Sequence, residues 1–224
     1  MAGTNKKSAP KRKTTYKKKA PMRKKSMVDG QSILVNAYCE VHKNLDPATE
    51  GAMSYSINID PKNAKLIGGA GVTATKGDAN GTALGENLVY NKFNTFSSLF
   101  NQYRVNSATI RVRVDTECGL ENAVITCNDK GDGTVIESMS QAVTGAHKPH
   151  SMTQSRRELS YTIKTTGQER DFLSTNDNQN QSESEKKYIK VFQKLPKGEN
   201  TKVCEHQVSM LLSLTLKDTK NDLN

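Results

Sequence analysis

Eleven cationic side chains crowd the first 25 residues: Lys6, Lys7, Lys11, Arg12, Lys13, Lys17, Lys18, Lys19, Arg23, Lys24 and Lys25, with no Asp or Glu among them. At this density ammonium and guanidinium groups bind polyanions, because each phosphate they neutralise releases condensed counterions. Against single-stranded nucleic acid, full engagement predicts a log–log salt slope of roughly −8. Such contacts go to phosphate and carry no base information. Tyr16, the one aromatic of the segment, is suited to stack on a base. Pro10-Lys11-Arg12-Lys13 also has the composition of a nuclear-import signal, a second use of the same charges.

The rest of the chain is different. The formal net charge is +10, from 33 Lys and Arg against 23 Asp and Glu. Taking away the first 25 residues leaves 22 basic and 23 acidic groups, a net of −1. That excludes a domain cationic throughout, as a histone fold is. No run approaches the ~20 apolar residues that a transmembrane helix needs. No apolar stretch follows the N-terminal basic residues, so a secretory signal is not expected. Cys39, Cys118, Cys127 and Cys204 form no Cys-x-x-Cys pair and have no His at zinc-finger spacing. They read as four buried thiols in a reducing compartment.

Further candidate sites are weaker. Arg111 and Arg113 lie opposite Ile110, Val112 and Val114 and extend the phosphate-binding set beyond the arm, unless they simply solvate a strand face. Arg156 and Arg157, just before another strand, carry the same ambiguity. Gly69-Ala70-Gly71-Val72-Thr73-Ala74 fits a dinucleotide-binding string, but no helical period follows to receive a pyrophosphate. Asp129 to Asp132 lacks the third carboxylate position of a calcium loop. Pro149 keeps His147 and His150 from sharing a helix face. No acid stands in an apolar run that would raise its pKa for proton transfer. The sequence therefore predicts no catalytic residue, no metal site and no cofactor.

The elements that position these groups follow from apolar periodicity. Residues 1–27 have too little apolar surface to offset the entropy of ordering, and like charges keep them extended, so a disordered arm over 1–30 is expected. Period-2 alternation then marks strands at 35–42, 53–59, 108–115, 122–127, 159–163, 188–192 and 203–217, with a weak one at Phe172-Leu173. Six glycines in 68–85 suggest a long surface loop. Phe93, Phe96, Leu99, Phe100 and Tyr103 fall on one face of a short helix and form an aromatic packing hub. Residues 135–143 are a second short helix, and 174–187 an exposed polar loop. Seven or eight strands, two short helices and no β-α-β rhythm argue for an all-β fold, an eight-stranded antiparallel jelly-roll sandwich over 31–217 with a tail at 218–224.

A basic arm ahead of a jelly roll resembles the coat protein of a small non-enveloped virus. The likeness is most specific over 93–114: the aromatic-rich helix, Phe100-Asn101-Gln102-Tyr103-Arg104-Val105, and the strand ending Ile110-Arg111-Val112-Arg113-Val114. This unit is similar to the helix-then-strand unit of capsid proteins of circovirus-like, Rep-encoding single-stranded DNA viruses. It also resembles coats of small RNA satellite viruses. The resemblance implies an icosahedral shell whose inward arms, in about 60 copies, bring roughly 660 positive charges to the genome phosphates. The implied partners are copies of the chain itself, single-stranded DNA and the host import machinery, with no membrane insertion. The implied locations are the virion and, during infection, the host nucleus. Three other readings stay open: the coat of a small RNA or satellite virus, a monomeric nuclear nucleic-acid-binding β-sandwich, and an enzyme such as a nuclease with a substrate-guiding tail.

Overall fold

Every second side chain of β1 (Gln31–Asn44) turns inward, burying Ile33, Val35, Ala37, Cys39 and Val41 while Leu34, Asn36 and Tyr38 face out. The computed structural model describes residues 30–46, 48–76, 79–82, 88–114, 123–128, 133–144, 150–151, 158–165, 172–175, 187–195, 197 and 203–220. The same parity runs through β12 (Val203–Thr219), which buries Cys204, His206, Val208, Met210, Leu212, Leu214 and Leu216. It also runs through β6 (Phe100–Val114), which buries Ala108, Ile110, Val112 and Val114. β12 lies between β1 and β6 with antiparallel register, so Val35 opposes Leu212 and Val208 opposes Val112. A one-residue slip would turn each apolar row toward water, and this fixes the register.

The first sheet is completed by β9 (Glu158–Lys164) and β10 (Leu173–Ser174) on β6, and by β4 (Val72–Lys76) and β5 (Ala79–Thr82) beyond β1. The second sheet runs β3 (Leu66–Gly68), β2 (Gly51–Asn58), β11 (Tyr188–Leu195), β7 (Ala123–Asn128), β8 (His150–Ser151). Eight of these strands make the sandwich: β1, β2, β6, β7, β8, β9, β11 and β12. The first pairs with the last, the second with the second-last, and so inward to the β7–β8 pair. A long antiparallel ribbon rolled up in this way is a jelly roll. The inward rows of both sheets form one core that includes Met53, Tyr55, Ile57, Ile189, Val191 and Leu195.

Three local expectations need correction. The helix α1 spans only Asn91–Ser97, and Phe100 and Tyr103 belong to β6. Tyr103 pairs with Leu173 and Leu216 across the sheet, so strand pairing overrides the helical spacing of the aromatics. Leu99 is exposed, yet Phe93 meets Tyr103 edge-to-face at 5.0 Å, so part of the hub survives. The glycine-rich stretch 68–85 is likewise not only loop. Val72–Lys76 adds to β1, with Val41 opposite Ala74. Gly71, at φ 70°, turns the chain into that strand, so the Gly69–Ala74 string opens a strand rather than a helix. The second helix, α2, is Met139–Thr144. Among the cysteines, Cys39 is a free buried thiol, but Cys204 is disulfide-bonded to a partner outside the described side chains. The expectation of four free thiols fails at Cys204, because folding joins cysteines whose sequence spacing carries no sign of it.

The two outer faces of the sandwich differ. The second sheet is covered by 133–144: Ser54 Oγ donates to the Ile136 carbonyl and Ser56 Oγ to that of Gly133, each at 2.5 Å. Ile136, Ala142 and Phe192 form a small second core there, with Ala52 and Met139 against it. The outward side chains of the first sheet remain exposed or half-exposed along β9, β6, β12 and β1.

A bulge interrupts β6 at Asn106, where the pairing with β12 shifts beside Ser213 and Leu214. Its freed groups are satisfied: Thr165 Oγ1 reaches the Val105 carbonyl at 2.5 Å, and Asn106 Nδ2 donates to Thr215 Oγ1 at 2.9 Å. The extra residue keeps Arg104 on the same outward face as Arg111 and Arg113.

Gly30 joins the N-terminal segment to β1 at φ 77°, and a Cβ there would stand 2.6 Å from Thr215 Cγ2. Left-handed backbone and the close approach both require glycine. Gly30→Ala is expected to lower stability by about 1–2 kcal/mol, read as a lower urea midpoint at unchanged slope.

Candidate nucleic-acid interface

The cations of residues 6–25, with Tyr16 and the Pro10–Lys13 signal, lie outside the described residues, as do Arg156 and Arg157. The structure does place the strand arginines. Arg111 and Arg113 point out from β6, both exposed, on the open face of the first sheet. Arg111 is flanked by Ser160 on β9 and Ser209 on β12. Arg113 stands between Glu158 and Gln207.

The fold adds cations that linear reading did not connect with them. Arg104 opposes Thr215, which in turn opposes Ser32, so Arg104 faces outward two residues from where the N-terminal segment joins β1. Lys164, exposed at the end of β9, sits beside Ser107. Lys217 opposes Gln102. Phe172 gathers two of them: the Arg104 guanidinium lies 4.7 Å and the Lys217 ammonium 5.5 Å from its ring centroid. Outward parity was available from the sequence for Lys164. For Arg104 it was hidden by the bulge, which breaks the count of two.

The far corner of this face is acidic. His42 stands 3.7 Å from a Glu205 oxygen and 4.0 Å from one of Glu40. Tyr38 donates to Glu40 at 2.8 Å, and partial desolvation together with that hydrogen bond pushes its phenol up to about 12. Among the described residues no group of three His, Cys, Asp or Glu is arranged to hold a metal ion. No described helix is long and apolar enough to cross a membrane.

Inside the sandwich a polar bridge joins the sheets. Tyr55 of β2 donates to His206 Nδ1 at 3.1 Å, and His206 Nε2 meets Gln193 Oε1 of β11 at 2.5 Å. All three side chains are fully buried. With Nδ1 accepting from the phenol, Nε2–H donates to the amide, which defines a neutral imidazole. Burial lowers the His206 pKa to about 3 and raises that of Tyr55. Burial also pushes the Cys39 thiol up to about 12, so this sulfur is protonated and unreactive. The buried side chain of Asp60 accepts from Tyr103 at 2.6 Å and ties the chain just past β2 to β6. These groups hold the two layers together.

No family model matches the sequence, and no curated protein matches it. Solved structures do share its fold. The BFDV capsid protein, solved as a 60-mer, superposes with a TM-score of 0.53 at 8% identity, covering 89% of this chain and 98% of that one. A chain from the structure of Cocksfoot mottle virus gives 0.52 at 7% identity, covering 85% and 96%. At such identities the likeness is one of fold: the eight-stranded jelly roll expected from the strand pattern is present, in the form taken by these two virus proteins.

Proposed function

We propose that this chain is the coat protein of a small virus, which assembles into an icosahedral shell and packages single-stranded DNA through residues 6–25. The observation that carries the reading is the division of charge. Eleven cations without one acid precede a jelly-roll body of net charge −1. A near-neutral body packs against copies of itself without long-range repulsion, while the cationic segment neutralises phosphate. A jelly-roll fold shared with a protein solved as a 60-mer supports self-assembly. The choice of DNA rests on the resemblance of the 93–114 unit to circovirus-like coats. The same resemblance gives Pro10-Lys11-Arg12-Lys13 the role of directing the chain to the host nucleus. On this reading residues 1–30 are the genome-binding arm, 31–217 the shell domain and 218–224 a tail.

Sedimentation and negative-stain imaging of the full chain test the assembly. Uniform megadalton particles are expected, with absorbance at 260 nm that DNase removes after the particles are opened. A chain that stays monomeric under all assembly conditions points instead to a nuclear nucleic-acid-binding sandwich. Cargo digested by RNase but not DNase would make this the coat of an RNA virus.

A further inference from the structure

Resting on that reading but going beyond the N-terminal segment, we propose that the open face of the first sheet is itself a track for single-stranded nucleic acid, along which Arg104, Arg111, Arg113, Lys164 and Lys217 hold successive phosphates.

Three features of the face support this. The first is alignment. Four of the five cations lie along β6 or at its border with β9, and Lys217 sits across from Gln102 on β12. Arg104 to Arg113 spans about 30 Å of strand. Arg111 and Arg113 are roughly 6.6 Å apart, near twice the per-strand phosphate rise of a stacked helix. The second is availability. Arg111, Arg113 and Lys164 make no ion pair among the described residues, although Glu158 stands directly across from Arg113. On the covered face of the second sheet, by contrast, Lys194 is bound to Glu50 at 2.5 Å. Short hydroxyl residues surround the track: Ser160, Ser209, Ser107 and Ser213, with Thr109 and Thr162 hydrogen-bonded to each other at 2.8 Å. They leave room for a sugar–phosphate chain and supply donors to its oxygens.

The third feature is position. The N-terminal segment joins the body at Gly30, beside Thr215 and therefore beside Arg104. A strand held by residues 6–25 is thereby delivered to the Arg104, Lys164 and Lys217 end of the face. Among the described residues, the exposed acid near it is Asp218, at the end of β12. Glu40 and Glu205 occupy the distant β1 corner and direct the polyanion away from it, toward β6 and β9. Since every contact is to phosphate, the track accepts DNA and RNA alike.

The test is lysine-labelling mass spectrometry on the full chain, with and without a 30-nucleotide oligo(dT), repeated with oligo(U). Labelling of Lys164 and Lys217 is expected to fall several-fold with either oligonucleotide, while Lys194 stays unchanged. In parallel, the full-length triple variant Arg111→Gln, Arg113→Gln, Lys164→Gln is expected to lose about 2 from the log–log salt slope. Oligonucleotide binding with unchanged labelling at Lys164 and Lys217 and an unchanged slope overturns the track and leaves packaging by residues 6–25 standing. Absence of binding at any salt concentration overturns both.

Discussion

Shells assembled from a chain lacking residues 1–25 are expected to contain at least ~10-fold less nucleic acid than those of the full chain. The deletion removes 11 of the 33 basic residues and leaves a body of net charge −1. At the proposed ~60 copies per shell it removes roughly 660 positive charges, a large share of the phosphates on a genome of one to two kilobases. Assembly itself should persist, because the segment lies ahead of β1 and contributes none of the sheet pairing described. The measurement is the ratio of absorbance at 260 and 280 nm on purified particles, with nuclease-protected nucleic acid quantified after extraction. Equal content in deleted and full-length particles would remove the role assigned to the segment. A graded version replaces Lys17, Lys18 and Lys19 with Ala, which should take about 2 off the salt slope of oligonucleotide binding.

Acid sensitivity of the folded body is the second large effect, and it centres on His206. The imidazole has an ordinary pKa near 6.5, and burial lowers it to about 3 in the fold. Below pH 6.5 the unfolded chain takes up a proton that the folded chain refuses. Stability from this group is therefore complete above pH 6.5 and is lost progressively as pH falls toward 3. At about 1.4 kcal/mol per unit, the loss reaches roughly 2 kcal/mol by pH 5 and 4–5 kcal/mol by pH 3. Against a total of about 5–15 kcal/mol for a typical domain this is a large fraction. A proton on Nδ1 also reverses the Tyr55 contact: Nδ1–H then donates to the phenol oxygen, and the buried Tyr55 O–H loses its acceptor as the charge appears. Urea midpoints at pH 7.5, 6.5 and 5 measure the effect in a range where most carboxylates remain ionised. The same series on His206→Gln should show a lower midpoint at pH 7.5 but a much flatter dependence on pH. A wild-type midpoint that does not move between pH 6.5 and 5 would sink the account.

The resulting picture separates two kinds of electrostatics. On the proposed function, solvated lysines and arginines act on a polymer of phosphates, and salt screens them. A single neutral imidazole, sealed between the sheets, acts on stability through its refusal of a proton, and salt hardly reaches it. Acid and salt should therefore dissociate experimentally: high salt releases nucleic acid from an intact fold, whereas low pH weakens the fold itself.

Much of the architecture was legible in the chain, because a half-buried strand leaves a period of two. The alternation at 108–115 and 203–217 located the heart of β6 and β12, and the division between a cationic segment and a near-neutral body needed only counting. The aromatic spacing at 93–103 misled, since positions i, i+3, i+7 and i+10 can also mix a short helix with the start of a strand. Tyr103 is held in β6 by its neighbours Leu216 and Leu173, which lie more than 60 residues away. Glycines at 68–85 pointed to loop, yet β1 had an open edge that Val72–Lys76 fills, and backbone hydrogen bonding outweighs weak strand propensity there.

The sequence by itself therefore determined the fold class, the cationic N-terminal segment and the outward direction of Arg111 and Arg113. Local properties set all three: side-chain periodicity, charge density and the parity of a strand. Tertiary structure alone decided which cations share a face, which outer face stays open and which histidine is sealed between the sheets. Those outcomes depend on register, on one bulged residue at Asn106 and on which strands become neighbours. They come from pairings between residues up to the full length of the domain apart, which no local pattern encodes.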